Sequence, residues 1–309
     1  MKVVSVINYK GGVGKTSLTA NLGAELAWRG KRVLLIDLDA QASLTFSFVS
    51  ADEWSKQYAP ARTIKAWFDS FESVNKVPLS SIIERPLRVG QRLEGHGQLD
   101  VIYSHLGLIN VDLELATQMG GASLSQARRN FLSVHKRLLI GLSDPFFNAN
   151  YDVCLIDCPP NFNIVTKTAI VASKYILVPT KPDQLSTLGI DYLLRSIRQL
   201  VDDYNEFADL EKGQVEGNIN PKVAGVVFTM VQEYGGGPIS AQRAYMRKIS
   251  QDSGLKVFDS YITRNDTMFA GAPEYGVPVV LTGTNNYSHQ KVVDGIEQVA
   301  TEFMSAVGL

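Results

Sequence analysis

At 309 residues and 33.9 kDa the chain can form one large α/β domain or two smaller ones at roughly 150 residues each. Lys and Arg total 30 against 31 Asp and Glu, a formal charge of −1, which excludes a uniformly basic coat for nucleic acid but leaves room for a local basic patch. With 45% hydrophobic and 20% charged residues the chain is not intrinsically disordered, and no apolar run approaches the roughly 18 residues needed to cross a membrane.

Taken in chain order, Val3–Ile7 reads as a buried β-strand that meets glycine-rich sequence without a small-residue cleavage site, which predicts a cytoplasmic protein rather than a secreted one. Lys10–Lys15 is a glycine-rich turn, Thr16–Arg29 a helix stopped by Gly30, and Arg32–Asp37 a second buried strand; together they make a βαβ unit. The stretch Ala51–Gly97 breaks the rhythm with Pro60, Pro78 and Pro86 and with Trp54, Tyr58, Trp67 and Phe68. We read it as a partly helical insertion in a single domain spanning 1–309, its aromatics forming a satellite core. Further strands are predicted at Asp100–Tyr103, Tyr151–Asp157, Tyr175–Pro179 and Ala224–Thr229. Helices are predicted at Gln126–Leu142, Thr187–Tyr204, Ser240–Ser253 and Ser288–Val307, and Asp209–Pro221 reads as a polar surface loop. This alternation predicts an α/β fold, a mostly parallel twisted sheet of six or more strands with helices on both faces.

The chemistry is concentrated at the first turn. Lys10-Gly11-Gly12-Val13-Gly14-Lys15-Thr16 follows a strand and opens a helix, with Ser17 behind it in the first helical turn. In that context backbone N–H groups and a helix N-terminus can cradle a polyphosphate. Gly14-Lys15-Thr16 matches the tail of the P-loop pattern, although Tyr9 stands where that pattern usually starts with glycine. Lys15 is expected to neutralise β- and γ-phosphates and Thr16 to ligate Mg²⁺ directly. Mg²⁺ favours one or two nearby carboxylates, acting here through water; Asp157, closing V-C-L-I-D, and Asp37, opening D-L-D-A-Q, are the candidates at strand ends, and Asp39 beside them can orient an attacking water. Cys154 and Cys158 read as buried free thiols.

These residues resemble the deviant Walker A motif of the ParA/MinD class of ATPases, closest to the ParA-type partition ATPases. Lys10 corresponds to that class's signature lysine, D-L-D-A-Q resembles its D-x-D-P-Q, and L-I-D-C-P-P-N (Leu155–Asn161) resembles its Walker B and switch II. V-V-F-T-M-V (Val226–Val231), Ile262–Asn265 and Glu274–Val279 are similar to its later blocks. The resemblance implies a P-loop NTPase fold, ATP and Mg²⁺ as cofactors, and a homodimer closed over ATP by Lys10 of each subunit. It implies further that Asp39 positions the hydrolytic water, and that Met230, Ile262 and Arg264 lie on the adenine side. Ala40 stands where the class usually has proline.

The same resemblance implies a cytoplasmic protein associated with the nucleoid in its ATP state. It would bind non-specific double-stranded DNA and be stimulated by a cargo adaptor protein to position a plasmid, a chromosome or a protein assembly. Arg195 and Arg198, three apart on one predicted helix, and Arg243, Arg247 and Lys248 on another, are the candidate DNA contacts. The patch must be local, because residues 181–309 carry 11 basic against 16 acidic side chains. Gln232–Gly236 also lacks the arginine that DNA-binding relatives tend to offer after the Met230 block. Two alternatives use the same fold. A MinD-like membrane-associated ATPase needs a basic amphipathic C-terminus, against which stands the absence of Lys or Arg after Lys291. An ATP-dependent ligase would turn over ATP on a small molecule.

Overall fold

Hydrophobic alternation on the strands sets the architecture. The computed structural model describes every residue except 72, 212–216, 253 and 284–285, and the backbone alone at 187, 252 and 271–275. The first part of the chain runs β1 (Lys2–Val6), α1 (Lys15–Trp28), β2 (Arg32–Asp37), α2 (Ser43–Phe46), α3 (Ala51–Gln57), α4 (Ile64–Ser70), β3 (Ile83–Glu84), α5 (Leu87–Leu93) and β4 (Gln98–Ile102). The middle runs α6 (Leu108–Gln118), α7 (Leu124–His135), α8 (Arg137–Leu142), α9 (Pro145–Asn150), β5 (Val153–Asp157), α10 (Ile164–Ala172), β6 (Tyr175–Thr180) and α11 (Gln184–Leu210). It ends with β7 (Lys222–Val231), β8 (Glu233–Tyr234), β9 (Gly237–Pro238), α12 (Ser240–Asp252), β10 (Val257–Thr263), α13 (Asp266–Tyr275) and α14 (Tyr287–Val307).

Eight strands form one sheet in the order β10-β7-β6-β1-β5-β2-β4-β3, parallel throughout except for β3, which runs antiparallel to β4. β8 and β9 pair as a separate hairpin. Leu34, Ile36, Cys154 and Ile156 face one hydrophobic core, while Val33, Leu35, Val153 and Leu155 face the other, so the period-2 alternation of the strands separates two helical layers. Both cysteines are buried and free, and burial raises their thiol pKa values. No described helix is long and apolar enough to cross a membrane.

Several sequence expectations change. The helix expected over Gln126–Leu142 is divided at Lys136, where ψ falls to −3°; beyond it Arg137–Leu142 turns to pack on α10. The Thr187–Tyr204 helix is longer, running through Leu210 into the expected loop, because Tyr204 and Ala208 continue its buried face. Residues 51–97 fold as α3, α4, β3 and α5, and their aromatics do not form a satellite core. Trp54 joins the core on the α1 side and Trp67 and Phe68 the core on the α10 side, so the segment wraps the sheet edge and contributes to both layers. Trp54 is fixed there by its Nε1–H, which donates to the Ser104 carbonyl at 3.1 Å.

Candidate phosphate site

The register of the central strands assembles the site. β1 lies between β5 and β6, and Val6 pairs with Asp157, which itself pairs with Asp37 across β2. The turn that leaves β1 therefore emerges at the carboxyl edge directly beside two buried carboxylates, the position at which ligands bind in parallel sheets.

Gly12 and Gly14 have φ of +66° and +73°, and Gly14 is the N-cap of α1 in the left-handed conformation, which explains glycine at both positions. A Cβ on Gly11 or Gly12 would meet open space, so this stretch of backbone is exposed. The N–H groups of Gly11, Gly12, Val13 and Gly14 have no protein acceptor among the described residues, as expected of a nest open to an anion. Two residues that sequence reasoning missed hold the turn in shape. Asn8, fully buried, accepts from the Lys10 N–H and donates to the Pro179 carbonyl at 2.8 Å, and the Thr229 hydroxyl donates to the Val13 carbonyl at 2.6 Å. The signal for Thr229 was a polar side chain inside the apolar run of β7, and for Asn8 a polar side chain closing the apolar run of β1.

The charges are arranged unequally. Lys15 is 7% exposed, and its nearest hydrogen-bond acceptor is the Lys10 carbonyl at 3.4 Å. Burial lowers its pKa, opposed by the charges of Asp157 and Asp39. Thr16 Oγ1 donates to Asp157 Oδ2 at 2.7 Å. Burial raises the pKa values of Asp157 and Asp37, and the negative charge of Asp157 adds to the rise at Asp37. An under-partnered buried ammonium beside two carboxylates disfavoured by burial suits a polyphosphate together with a divalent cation. The phosphate would satisfy Lys15, and the cation would offset the carboxylates.

Asp37 itself is engaged. Its Oδ2 accepts from the Thr45 N–H and hydroxyl at 2.8 and 2.7 Å and its Oδ1 from the Asp39 N–H at 3.1 Å. The same Thr45 hydroxyl accepts from the Ser104 N–H, and the Ser104 hydroxyl donates to the Asp39 carbonyl at 2.7 Å. Asp37 thus sets the loop that presents Asp39, whose side chain accepts only the Gln41 N–H among the hydrogen bonds of the described residues.

The Lys10 ammonium is held by α11. Its Nζ lies 2.8 and 2.7 Å from the two carboxylate oxygens of Asp183 and 3.3 Å from the Ser186 hydroxyl, at the N-cap of α11. Asp183 carried no sequence signal, since only the order of β6 beside β1 brings it to the turn. On the other flank Met230, Ile262 and Arg264 meet with Gly14, Ser17 and Phe269 around a small cavity of about 50 Å³. Met230 holds φ +54°, a left-handed residue other than glycine, and its side chain lies against Gly14. The Arg264 guanidinium is paired with Asp266, 2.6 Å away.

The basic residues expected to contact DNA lie apart from this site. Arg195 and Arg198 are exposed on α11 and Arg243, Arg247 and Lys248 on α12, a helix that packs against α11. Arg243 donates to the Pro238 carbonyl at 2.8 Å, while Arg195, Arg247 and Lys248 make no ion pair among the described residues.

A parallel sheet whose first strand delivers a glycine nest, a buried lysine and a helix N-terminus beside a Walker B carboxylate defines a P-loop nucleotide-binding fold of the deviant Walker A type. The chain belongs to the AAA_31 family (AAA domain), whose model matches residues 1–210, and within it to the ParA/MinD-type ATPases. It is 30% identical over 283 residues to the chromosome partitioning protein ParA of Caulobacter vibrioides, covering 91% of this chain and 87% of that one. It is 27% identical over 304 residues to the sporulation initiation inhibitor protein Soj of Bacillus subtilis, covering 97% and 98%. The fold is similar to that of a Cyanothece McdA variant in complex with ATP, with a TM-score of 0.70, 18% identity and coverage of 100% and 97%.

Proposed function

We propose that this chain is a Mg²⁺-dependent ATPase that closes into a homodimer over ATP and acts as a positioning switch. In its ATP state it would hold non-specific double-stranded DNA in the nucleoid of the cytoplasm, until a cargo adaptor protein triggers hydrolysis. The observation that carries the reading is the contrast between the two lysines of one turn. Lys15 is buried with its ammonium poorly paired, whereas Lys10 is half-buried with its Nζ on Asp183 at the N-cap of α11, a helix whose Leu185, Leu188 and Tyr192 are exposed to a second copy.

In this reading the nest of Gly11–Gly14 and the N-terminus of α1, with Lys15 to Ser17, bind and orient the phosphates. Thr16 would ligate Mg²⁺, and Asp157 would contact it through water. When bound, that ion screens the negative charge between the β- and γ-phosphates. Asp39 would orient the attacking water, and Asp37 would keep Asp39 in place through the shared Thr45–Ser104 network. Lys10, released from Asp183, would add positive charge where the partner subunit's phosphate develops negative charge. Met230, Ile262 and Arg264 would flank the adenine. Arg195 and Arg198, with Arg243, Arg247 and Lys248 on the neighbouring helix, would supply phosphate-backbone contacts to DNA.

The test is retention on non-specific double-stranded DNA with ATP, with ADP and without nucleotide, using Asp39→Ala to slow turnover. Retention that requires ATP and falls steeply with salt is the expected result. Absence of retention in every state, while ATP still drives dimerisation, overturns the DNA part of the reading.

A further inference from the structure

Tyr9 occupies the position at which P-loops usually begin with glycine, and the structure shows what the ring does there. Its centroid lies 5.1 Å from that of Tyr192 on α11 and 5.8 Å from that of Phe162, in the loop that follows Asp157. One turn beyond Tyr192, the Ser196 hydroxyl donates to the Tyr192 carbonyl at 3.0 Å. Three rings, Phe162, Tyr9 and Tyr192, therefore join the loop after the Walker B strand to the phosphate turn and to the third turn of α11. The adjacent residue, Lys10, grips the N-cap of the same helix through Asp183. Leu185, Leu188, Tyr192 and Arg195 follow one another at helical spacing, so the face that meets Tyr9 continues into a basic residue at the surface.

We propose that Tyr9 is a positioning residue that couples the Cys158–Asn163 loop to α11, so that the presence of a γ-phosphate changes the setting of that helix. A loop next to Asp157 is where the loss of a phosphate is felt first, and packed rings transmit a displacement because they have few alternative arrangements. Removing the Tyr9 ring leaves the glycine nest, Lys15 and Thr16 untouched, and so separates binding of the nucleotide from its effect on α11. The inference rests on the nucleotide-binding part of the functional reading above, and the measured nucleotide affinity separates failure of that reading from failure of the coupling.

The experiment is amide hydrogen exchange over residues 186–200 of the full chain, without DNA, in Mg²⁺ with a non-hydrolysable ATP analogue and with ADP, alongside the affinity for a fluorescent nucleotide. In the native chain the two nucleotides should give exchange rates in this segment that differ by about fivefold or more. In Tyr9→Ala the difference should fall below about twofold while nucleotide affinity changes by less than about twofold, and Tyr9→Phe, which keeps both ring contacts, should retain it. Tyr192→Ala removes a ring that is 64% exposed, and so provides the same test at the far end of the relay should Tyr9→Ala fail to fold. The coupling is overturned if the native chain shows no difference between nucleotides, or if the difference survives in both Tyr9→Ala and Tyr192→Ala. Because no DNA enters the readout, failure of DNA retention and failure of the relay are separate results.

Discussion

The phosphate turn and the α11–α12 face are built on opposite principles. At the turn, Asp37, Thr45, Ser104, Asn8 and Thr229 are buried and hydrogen-bonded to one another or to the backbone, so the positions of Asp39 and the nest are determined inside the chain. On α11 and α12, Leu185, Leu188, Tyr192, Arg195, Arg247 and Lys248 are exposed, and the three basic residues have no ion-pair partner among the described residues. A site that must perform chemistry is preorganised, because misplacement of its groups costs rate. A surface that must engage and release other molecules is left to be completed by them, because exposed charge costs little until a partner arrives.

Lys15 gives the largest expected effect. If the proposed reading holds, Lys15→Ala should reduce ATP turnover about a thousandfold and abolish any rise in melting temperature on adding Mg²⁺-ATP, since it removes the buried cation of the glycine-rich turn. The nucleotide-free melting temperature should hold nearly unchanged, because that cation is poorly paired; a large drop in the empty protein would show that Lys15 is structural. Asp37→Ala leaves the Thr45 N–H, the Thr45 hydroxyl and the Asp39 N–H unpaired at a buried site, and should cost about 3 kcal/mol in urea unfolding. An exposed acid of α11 replaced by alanine gives the contrasting value, which should be near zero.

A third measurement uses pH. His135, buried at the end of α7, is held neutral by burial with its pKa lowered to about 4, and its Nδ1 faces the Phe131 carbonyl at 2.8 Å. The unfolded chain takes up this proton near pH 6.5, before the folded chain does. Its contribution is therefore fully present above about pH 6.5 and is lost as pH falls toward 4. At pH 5 the native chain should have lost about 2 kcal/mol that His135→Phe, which keeps a ring in place, does not lose. Superimposable stability profiles for the two proteins between pH 7 and pH 5 would refute the assignment. The smallest effect is expected at the open face. Arg195→Glu together with Arg198→Glu should weaken DNA retention by about tenfold or more and lower the salt dependence by about two phosphate contacts, with ATP-dependent dimerisation intact. Unchanged retention would move the DNA contacts to α12.

Legibility followed the same division. The strand–turn–helix order, the two strand-end aspartates and Lys15–Thr16 were readable because local spacing alone puts those groups at one end of one βαβ unit. The insertion was misread in one respect. Trp54 and Trp67 are 13 residues apart and on opposite sides of the sheet, a separation set by how the segment wraps the β4–β3 edge rather than by any local pattern. The break at Lys136 was equally invisible, since the apolar period runs through it and only packing on α10 bends the chain.

The α/β alternation, the glycine-rich turn at the head of α1 and the placing of Lys15, Thr16 and the strand-end aspartates were legible along the chain, because these depend on contacts within a few residues or on strand period. Only the tertiary structure decided that Lys10 would rest on Asp183, 173 residues away, that Thr229 would hold Val13, and that Tyr9 would lie between Phe162 and Tyr192. Those pairings arise from the strand order β7-β6-β1-β5, which brings the loops that follow these strands to one edge of the sheet. Strand order is chosen by the packing of whole layers, and no spacing along the chain encodes it.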